Sequence, residues 1–316
     1  MMTVECHPIA PGEAGRQEWL TWRSRDITAS RAGALFGCDM PDKNLTVLRL
    51  WAEHRGAEFH VKPENKFMRR GRKLERLVGE EVEELQPAWK IHPVGCYYRD
   101  ADLRLGATPD FWVLGDPRGR GVLQAKTAGG NVIASKWDGG RVPPDWILWQ
   151  VRTEMLLTDA AFGAIAVLDP FTWDCHLIEV ERDQLAEVAL VAAVAEFWKH
   201  VAEGTEPPVD FARDAEAVKA LTARAVPGEV RDLTGNNELP ELLEQRARLM
   251  ASIKVMESRC EAIETELKYL LGPAELATGL PGWRITYKTE HRKEYTVKAR
   301  SGRVLRVYNK REEGEK

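Results

Sequence analysis

Asp110, Gln124 and Lys126 are the residues of this chain whose types and spacing can do chemistry together. Asp110 stands in Thr108-Pro-Asp-Phe-Trp112, and Gln124-Ala-Lys-Thr127 begins fourteen residues after it. Phe111-Trp-Val-Leu114 and Val122-Leu123 are apolar and β-prone, which predicts two strands. Between them Gly115-Asp-Pro-Arg-Gly-Arg-Gly121 has turn chemistry. Such a hairpin carries Asp110 toward Gln124 and Lys126. Side chains alternate along a strand, so Gln124 and Lys126 project from one face. A carboxylate, a second oxygen donor and a lysine at one point suit a hard divalent cation with an ammonium beside it. The plain alternative is a surface hairpin that happens to carry an aspartate and a lysine.

Elements on either side must position the hairpin. Upstream, Leu74, Leu77, Val78, Val82 and Leu85 have helical spacing within Met68–Leu85. Glu75 lies at the edge of that apolar stripe. Glu80, Glu81, Glu83 and Glu84 suit a solvated face with i,i+4 ion pairs. Earlier, Trp22-Arg23 is followed by Thr28-Ala-Ser30. Thr28 or Ser30 can cap a helix. A helix start also attracts anions, and Arg23 can add a guanidinium to the same phosphate. Downstream, Pro144-x-Trp-x-x-x-Gln150-x-x-x-Glu154-Met-Leu reads as a helix over Asp145–Thr158, followed by a strand at Phe162–Leu168.

The pairing of Pro109-Asp110 with Gln124-x-Lys126 resembles the P-D…(D/E)-x-K signature of metal-dependent nucleases, with Gln124 where Asp or Glu is usual. In such sites carboxylate oxygen holds Mg²⁺, which acidifies a water and polarises the scissile phosphate. The lysine orients that water and offsets charge on the transition state. The full set stands in order: Trp22-Arg23 with Ser30, Gly71-x-x-x-Glu75, Gly106-Ala-Thr-Pro-Asp110-Phe, Leu123-Gln-Ala-Lys126-Thr127 and the Gln150 segment. Over about residues 15–205 this resembles the YqaJ-type viral recombinases, relatives of phage lambda exonuclease.

The resemblance implies an α/β, restriction-endonuclease-like core with a mixed central sheet flanked by helices. It implies Asp110, Gln124 and the backbone carbonyl of Ala125 as metal ligands, Glu75 as a further acid near the metal, and Lys126 as the catalytic lysine. Arg23 and Ser30 would hold a DNA 5′-phosphate, and Gln150 would lie beside the site. Mg²⁺ is the implied cofactor, with Mn²⁺ a substitute. The implied activity is 5′→3′ digestion of one strand from double-stranded DNA ends, leaving 3′ single strands for recombination. A homo-oligomer, with a trimer first, and a single-strand annealing protein of the RecT type are the implied partners. A phage-encoded chain would act in the cytoplasm of its bacterial host. Two alternatives stay open. Gln124 fits a catalytically weakened DNA-end-binding or scaffold protein of the same fold. The motif also serves a structure-specific endonuclease.

Composition bounds these readings. A net charge of −4 and a pI of about 6.1 exclude a uniformly basic nucleic-acid coat. DNA contacts must come from a local patch, for which Arg69, Arg70, Arg72, Lys73, Lys126, Lys136 and Arg141 are candidates. The five cysteines contain no C-x-x-C pair, which disfavours a disulfide framework and predicts reduced thiols. No apolar run suits a signal peptide or a membrane span. The histidines lack H-E-x-x-H spacing, and no phosphate-binding loop of the G-x-x-x-x-G-K-[ST] type occurs.

Three sections are expected: a nuclease core over 1–205, a linker over 206–235 signalled by Gly204-Thr-Glu-Pro-Pro at its start, where the core ends, and an extension over 236–316. Within the core, residues 1–67 read as helical with loops. Strands are expected at Gly95–Arg99, Leu105–Leu114, Gly121–Thr127 and Thr172–Val180, and a helix at Arg182–Val201. In the extension Leu242, Arg246, Leu249, Ile253, Met256, Cys260, Ile263, Leu267 and Leu270 alternate steps of four and three, and eight of these nine are apolar. That spacing predicts a coiled-coil-like helix, stopped by Gly272-Pro273. Strands rich in Lys and Arg are expected at Trp283–Lys288 and Val297–Tyr308. The extension is either a helix on its own core with a solvated basic hairpin, or an arm that grips DNA backbone or a partner subunit.

Overall fold

The computed structural model describes residues 3–59, 65–279, 281–291 and 303–307. The chain divides into two units, Met1–Ala223 and Arg224–Lys316. In the first, β1 (Val4–Pro8), α1 (Gly12–Arg23), β2 (Ile27–Thr28), α2 (Ala29–Ala32), α3 (Val47–His54) and α4 (Lys66–Leu85) come first. Then follow β3 (Lys90–Pro93), β4 (Cys96–Asp100), β5 (Leu105–Ala107), β6 (Phe111–Leu114), β7 (Gly121–Thr127), α5 (Gly130–Lys136) and α6 (Asp145–Thr158). The unit ends with β8 (Phe162–Leu168), β9 (Cys175–Val180), α7 (Gln184–Glu203) and α8 (Ala215–Leu221).

The central sheet has five strands in the order β3-β6-β7-β8-β9, with β7 and β8 parallel and the other neighbours antiparallel. Helices cover both faces. Val78 and Val82 of α4 pack with Phe111, Leu123, Ala164 and Leu168 on one side. Ile147, Val151 and Met155 of α6 pack with Val122, Ile165 and Val167 on the other. The alternation along β7 therefore sends Leu123 and Ala125 toward α4, and Val122, Gln124 and Lys126 toward α6. This is the mixed α/β arrangement that the sequence predicts.

A second sheet, in the order β1-β4-β5-β2, stands beside a helical core in which Leu48, Leu50, Leu157, Leu190 and Phe197 are buried. The strand expected as one run over Leu105–Leu114 is two strands in two sheets. β5 pairs with β4 and β2, whereas β6 pairs with β3 and β7. Thr108-Pro109-Asp110 makes the crossing. Pro109 has no N–H for either ladder, so regular pairing stops there. Gly106 is needed at this corner, because a Cβ would lie 1.9 Å from the Tyr97 hydroxyl oxygen. That hydroxyl donates to buried Asp26 at 3.0 Å.

Other boundaries also differ. The stretch 1–67, read as helical with loops, contains β1 and β2, whose edge pairing leaves only a weak pattern in sequence. β3 is an added strand, and β9 starts at Cys175, after a turn in which Trp173 has φ of 67°. The segment expected as linker, 206–235, is divided between the units. Through Ala223 it belongs to the first. There α8 is tied to α3 by Thr46, whose hydroxyl donates to Asp214, and by Arg49, which bonds Glu216 at 2.9 Å.

The second unit holds α9 (Leu239–Leu271), no residue of which is buried, and β10 (Leu276–Ala277) paired with β11 (Ile285–Thr286). All nine positions of the four-three pattern fall within α9, and Gly272 follows its last residue. Of the expected basic strands, Val297–Tyr308 lies outside the described residues except for 303–307, which form no strand. Arg292, Lys293, Lys298 and Arg300 are likewise outside them. Among the described residues no helix is long and apolar enough to cross a membrane.

Candidate active site

Asp110 sits where the chain leaves one sheet for the other. The Ala125 N–H donates to its Oδ2 at 2.9 Å, and the Gln124 side-chain N–H donates to the same oxygen. No hydrogen bond among the described residues engages Oδ1 of Asp110. The hairpin thus brings Asp110 to Gln124 as the sequence predicts. What it does not show is Gln124 turning its oxygen toward the aspartate. That oxygen accepts from Nε2 of Gln150 at 2.6 Å.

Gln150 lies on α6, directly over β7. Besides Gln124, its Nε2 donates to Oε1 of Glu154 at 3.0 Å, and its Oε1 accepts from the Lys126 ammonium at 3.2 Å. The Lys126 Nζ also lies 5.4 Å from the centre of the Trp146 ring. Gln124 is 3% exposed, Gln150 6% and Glu154 0%, so this is a network closed to solvent behind Asp110 and Lys126.

Charge is poorly neutralised here. Burial, and then the Asp110 carboxylate, raise Glu75 to about 7, against the opposing pull of Lys126 and Arg72. Burial also raises Asp110, while Lys126, the Ala125 N–H and the Gln124 amide act to lower it. A buried acid that raises its neighbour, with one carboxylate oxygen open, suits a cation. Among the described residues no three His, Cys, Asp or Glu side chains form a metal-binding group. The oxygen donors here of the type that a hard cation takes are the Asp110 and Glu75 carboxyls and the Ala125 carbonyl.

Two clefts flank the network. Glu75 opens into one of about 930 Å³, together with Arg16, Trp19, Arg72 and Thr108. Lys126 opens into another of about 510 Å³, with Lys136, Trp137 and Trp146. Of the basic candidates, Arg69, Arg72, Lys73, Lys136 and Arg141 are exposed, and Arg141 pairs with Asp138 at 3.1 Å.

Arg23 and Ser30 meet: Nη2 of Arg23 donates to the Ser30 hydroxyl at 3.3 Å, and Ser30 lies 3.2 Å from the Thr28 hydroxyl. The Arg23 guanidinium stacks over Trp19 at 4.5 Å, and burial lowers its pKa. Among the described residues no carboxylate pairs with it. Trp19 in turn donates to the Thr108 hydroxyl at 3.0 Å, two residues before Asp110. α2 is only four residues long, so the polar groups at this corner are a guanidinium and two hydroxyls rather than the end of a long helix.

Sequence reasoning gave no role to Trp19, nor to Trp146 and Glu154, which it named only as parts of the Gln150 segment. Helical spacing held a signal for two of them. Trp19 is four residues before Arg23 on α1, and Glu154 four after Gln150 on α6. Trp146 falls at the start of α6, a position of the same segment, but nothing local separates it from a packing residue.

Residues 18–161 match the family model of the YqaJ-like viral recombinase domain. Among solved structures, the chain is similar to an alkaline exonuclease, LHK-Exo, from Laribacter hongkongensis, at 20% identity and a TM-score of 0.48 over 60% of this chain and 93% of that one. The same exonuclease in complex with dAMP matches at 20% identity and a TM-score of 0.47 over the same shares. A phage related exonuclease from Haemophilus somnus 129PT matches at 11% identity and a TM-score of 0.39, covering 57% of this chain and 96% of that chain. No curated protein matches the sequence.

Proposed function

We propose that this chain, which carries a YqaJ-like viral recombinase domain over residues 18–161, hydrolyses DNA as a phage-type exonuclease at the Asp110–Lys126 site. One observation carries the assignment. Asp110, with Oδ1 open, and Lys126, held by Gln150 at 3.2 Å, flank Gln124 at the end of one sheet, with Glu75 beside them.

Each residue has a role in this reading. Lys126 orients the attacking water and offsets charge that builds on the phosphate. Asp110, Glu75 and the Ala125 carbonyl would hold Mg²⁺, or Mn²⁺ in its place, which would polarise the phosphate and acidify a bound water. Gln124 joins these ligands only by turning its amide over and releasing Gln150. Arg23 and Ser30 bind the 5′-phosphate of a DNA end, supported by the absence of a carboxylate partner for Arg23 among the described residues. Degradation from that end runs 5′→3′ and leaves a 3′ single strand.

Residues 1–205 supply the chemistry, and the extension over 236–316 serves as an arm for DNA backbone or a partner subunit. A homo-oligomer, cooperation with a single-strand annealing protein and action in a bacterial cytoplasm belong to the same proposal.

The test uses linear and circular duplexes labelled at either end, incubated with Mg²⁺ or with EDTA. Loss of the 5′ label from linear DNA in Mg²⁺ alone supports the proposal. Cutting of circles assigns a structure-specific endonuclease instead. A second reading, a DNA-end-binding protein with weakened catalysis, is favoured by the Gln124 N–H that occupies Asp110. Binding of ends without cleavage in either cation would establish it.

A further inference from the structure

Gln150 is the hub of the buried network, and an amide can sit in its place in two ways. In the observed one, its nitrogen faces the oxygens of Gln124 and Glu154, and its oxygen faces the Lys126 ammonium. Turned over, it would set oxygen against oxygen on one side and N–H against ammonium on the other. The two hydrogens of Nε2 match the two acceptors, so the observed orientation satisfies every bond.

What enforces that orientation is an acceptor at each end of the chain of amides. Asp110 accepts from Gln124 and so turns the Gln124 oxygen toward Gln150. Glu154 provides the other end. It is fully enclosed, one helical turn after Gln150, on a helix whose neighbours Ile147, Val151 and Met155 are apolar and buried. Only one of its oxygens is used, because Oε2 is buried with no hydrogen-bond partner. An acid buried with half its capacity unmet weakens the fold relative to a well-packed apolar residue. Stability therefore does not account for a glutamate here, whereas the bond to Gln150 does.

We infer that Glu154 is a positioning residue: by accepting the Gln150 N–H it sets the direction of that amide and so holds the amide oxygen on Lys126. The inference rests on the nuclease reading for its effect on rate, but not for its effect on Lys126 itself. Burial, and next the Asp110 charge, push Glu154 well above the ordinary carboxylate range, and with or without a proton its side chain keeps an oxygen that accepts from Gln150. A glutamine can supply the same acceptor, and a methionine cannot.

The experiment compares the full-length wild type with Glu154→Met, Glu154→Gln, Gln150→Ala and the Glu154→Met/Gln150→Ala double variant. Linear-duplex cleavage in Mg²⁺, melting temperature and labelling of Lys126 by acetic anhydride, read by mass spectrometry, are measured on each. Glu154→Met is expected to lower kcat about tenfold, the scale of one hydrogen bond, with KM for DNA little changed and the melting temperature kept or raised. Glu154→Gln recovers most of that loss. In the double variant the rate equals that of Gln150→Ala alone, because Glu154 acts through Gln150. Lys126 is labelled faster in Glu154→Met and Gln150→Ala than in wild type. Losses that add in the double variant, or a Glu154→Met protein with wild-type rate and labelling, overturn the inference. If wild type does not cleave DNA, the nuclease reading fails, and Lys126 labelling still decides: unchanged labelling in Glu154→Met overturns the positioning role.

Discussion

Gln124 donates its side-chain N–H to the carboxylate of Asp110, and through its oxygen it accepts from Gln150. A carboxylate at position 124 could not make the first of these bonds. It would instead set a second negative charge against Asp110. The amide therefore stabilises the metal-free arrangement and removes one negative charge from the place where a cation would bind.

Gln124→Glu should accordingly shift stability in opposite directions with and without metal. Without metal, two facing carboxylates should lower the melting temperature by several degrees, corresponding to about 1–2 kcal/mol. With millimolar Mg²⁺ the variant should gain more in melting temperature than wild type does, and cleave at lower Mg²⁺ concentration. Calorimetry across a Mg²⁺ and Mn²⁺ series checks this. Equal Mg²⁺ responses in the two proteins would mean that position 124 does not face the cation.

Asp110→Ala should reduce cleavage by about a thousandfold or more, because it removes the open carboxylate oxygen of the site. Its circular dichroism should match wild type, since a site carboxylate held above its ordinary range is no asset to folding. Cleavage at the wild-type rate would sink the proposed function.

End recognition should depend on Arg23. A charge-assisted hydrogen bond is worth about 1.5–3 kcal/mol, so 5′-phosphorylated ends should be cut roughly tenfold faster than 5′-hydroxyl ends. Arg23→Ala and Ser30→Ala should each narrow the difference, the arginine more. Competition between the two ends in one reaction reads it directly, and equal rates in wild type would leave Ser30 as a local hydroxyl bond only.

Glu75 ties stability to pH. Its folded-state pKa of about 7 lies above the ordinary 4.5, so the folded protein holds that proton more tightly than the unfolded chain. The favourable contribution is complete below about 4.5 and is lost as pH rises to about 7. His54 runs the other way: burial lowers it to about 4, so its contribution grows as pH rises toward 6.5. Glu75→Gln isolates the first effect. The melting temperature of wild type relative to this variant should fall between pH 5 and 7, and Mg²⁺ should shrink the fall. A constant difference across that range would contradict the raised pKa.

Assembly should show in solution. Along α9 the side chains of Leu242, Leu249, Ile253, Met256, Ile263 and Leu270 are all exposed in the single chain. An apolar stripe of this spacing favours helix pairing. Light scattering at micromolar concentration should give a multiple of the 35.7 kDa chain mass, and Leu249→Lys/Ile263→Lys should lower it. A monomer would remove the homo-oligomer from the proposal and favour a nuclease that releases DNA after each cut.

The sequence by itself determined which chemical groups come together. Two β-prone runs separated by a glycine-rich turn can hardly avoid pairing, and a strand period of two leaves Gln124 and Lys126 no choice but a shared face. The helical spacing of α4 and α6 likewise set which of their faces meet the sheet, and so brought Glu75 and Gln150 to the hairpin. Tertiary structure decided what those groups do to one another. The break at Pro109 that sends β5 and β6 into different sheets depends on which strands lie alongside, which no local pattern encodes. The direction of the Gln124 amide depends on an acceptor on the same hairpin and a donor on another element. Most of all, the burial that raises Glu75, Asp110 and Glu154 is a property of packed surroundings. A glutamate reads the same in sequence whether it faces water or sits sealed beneath Gln150.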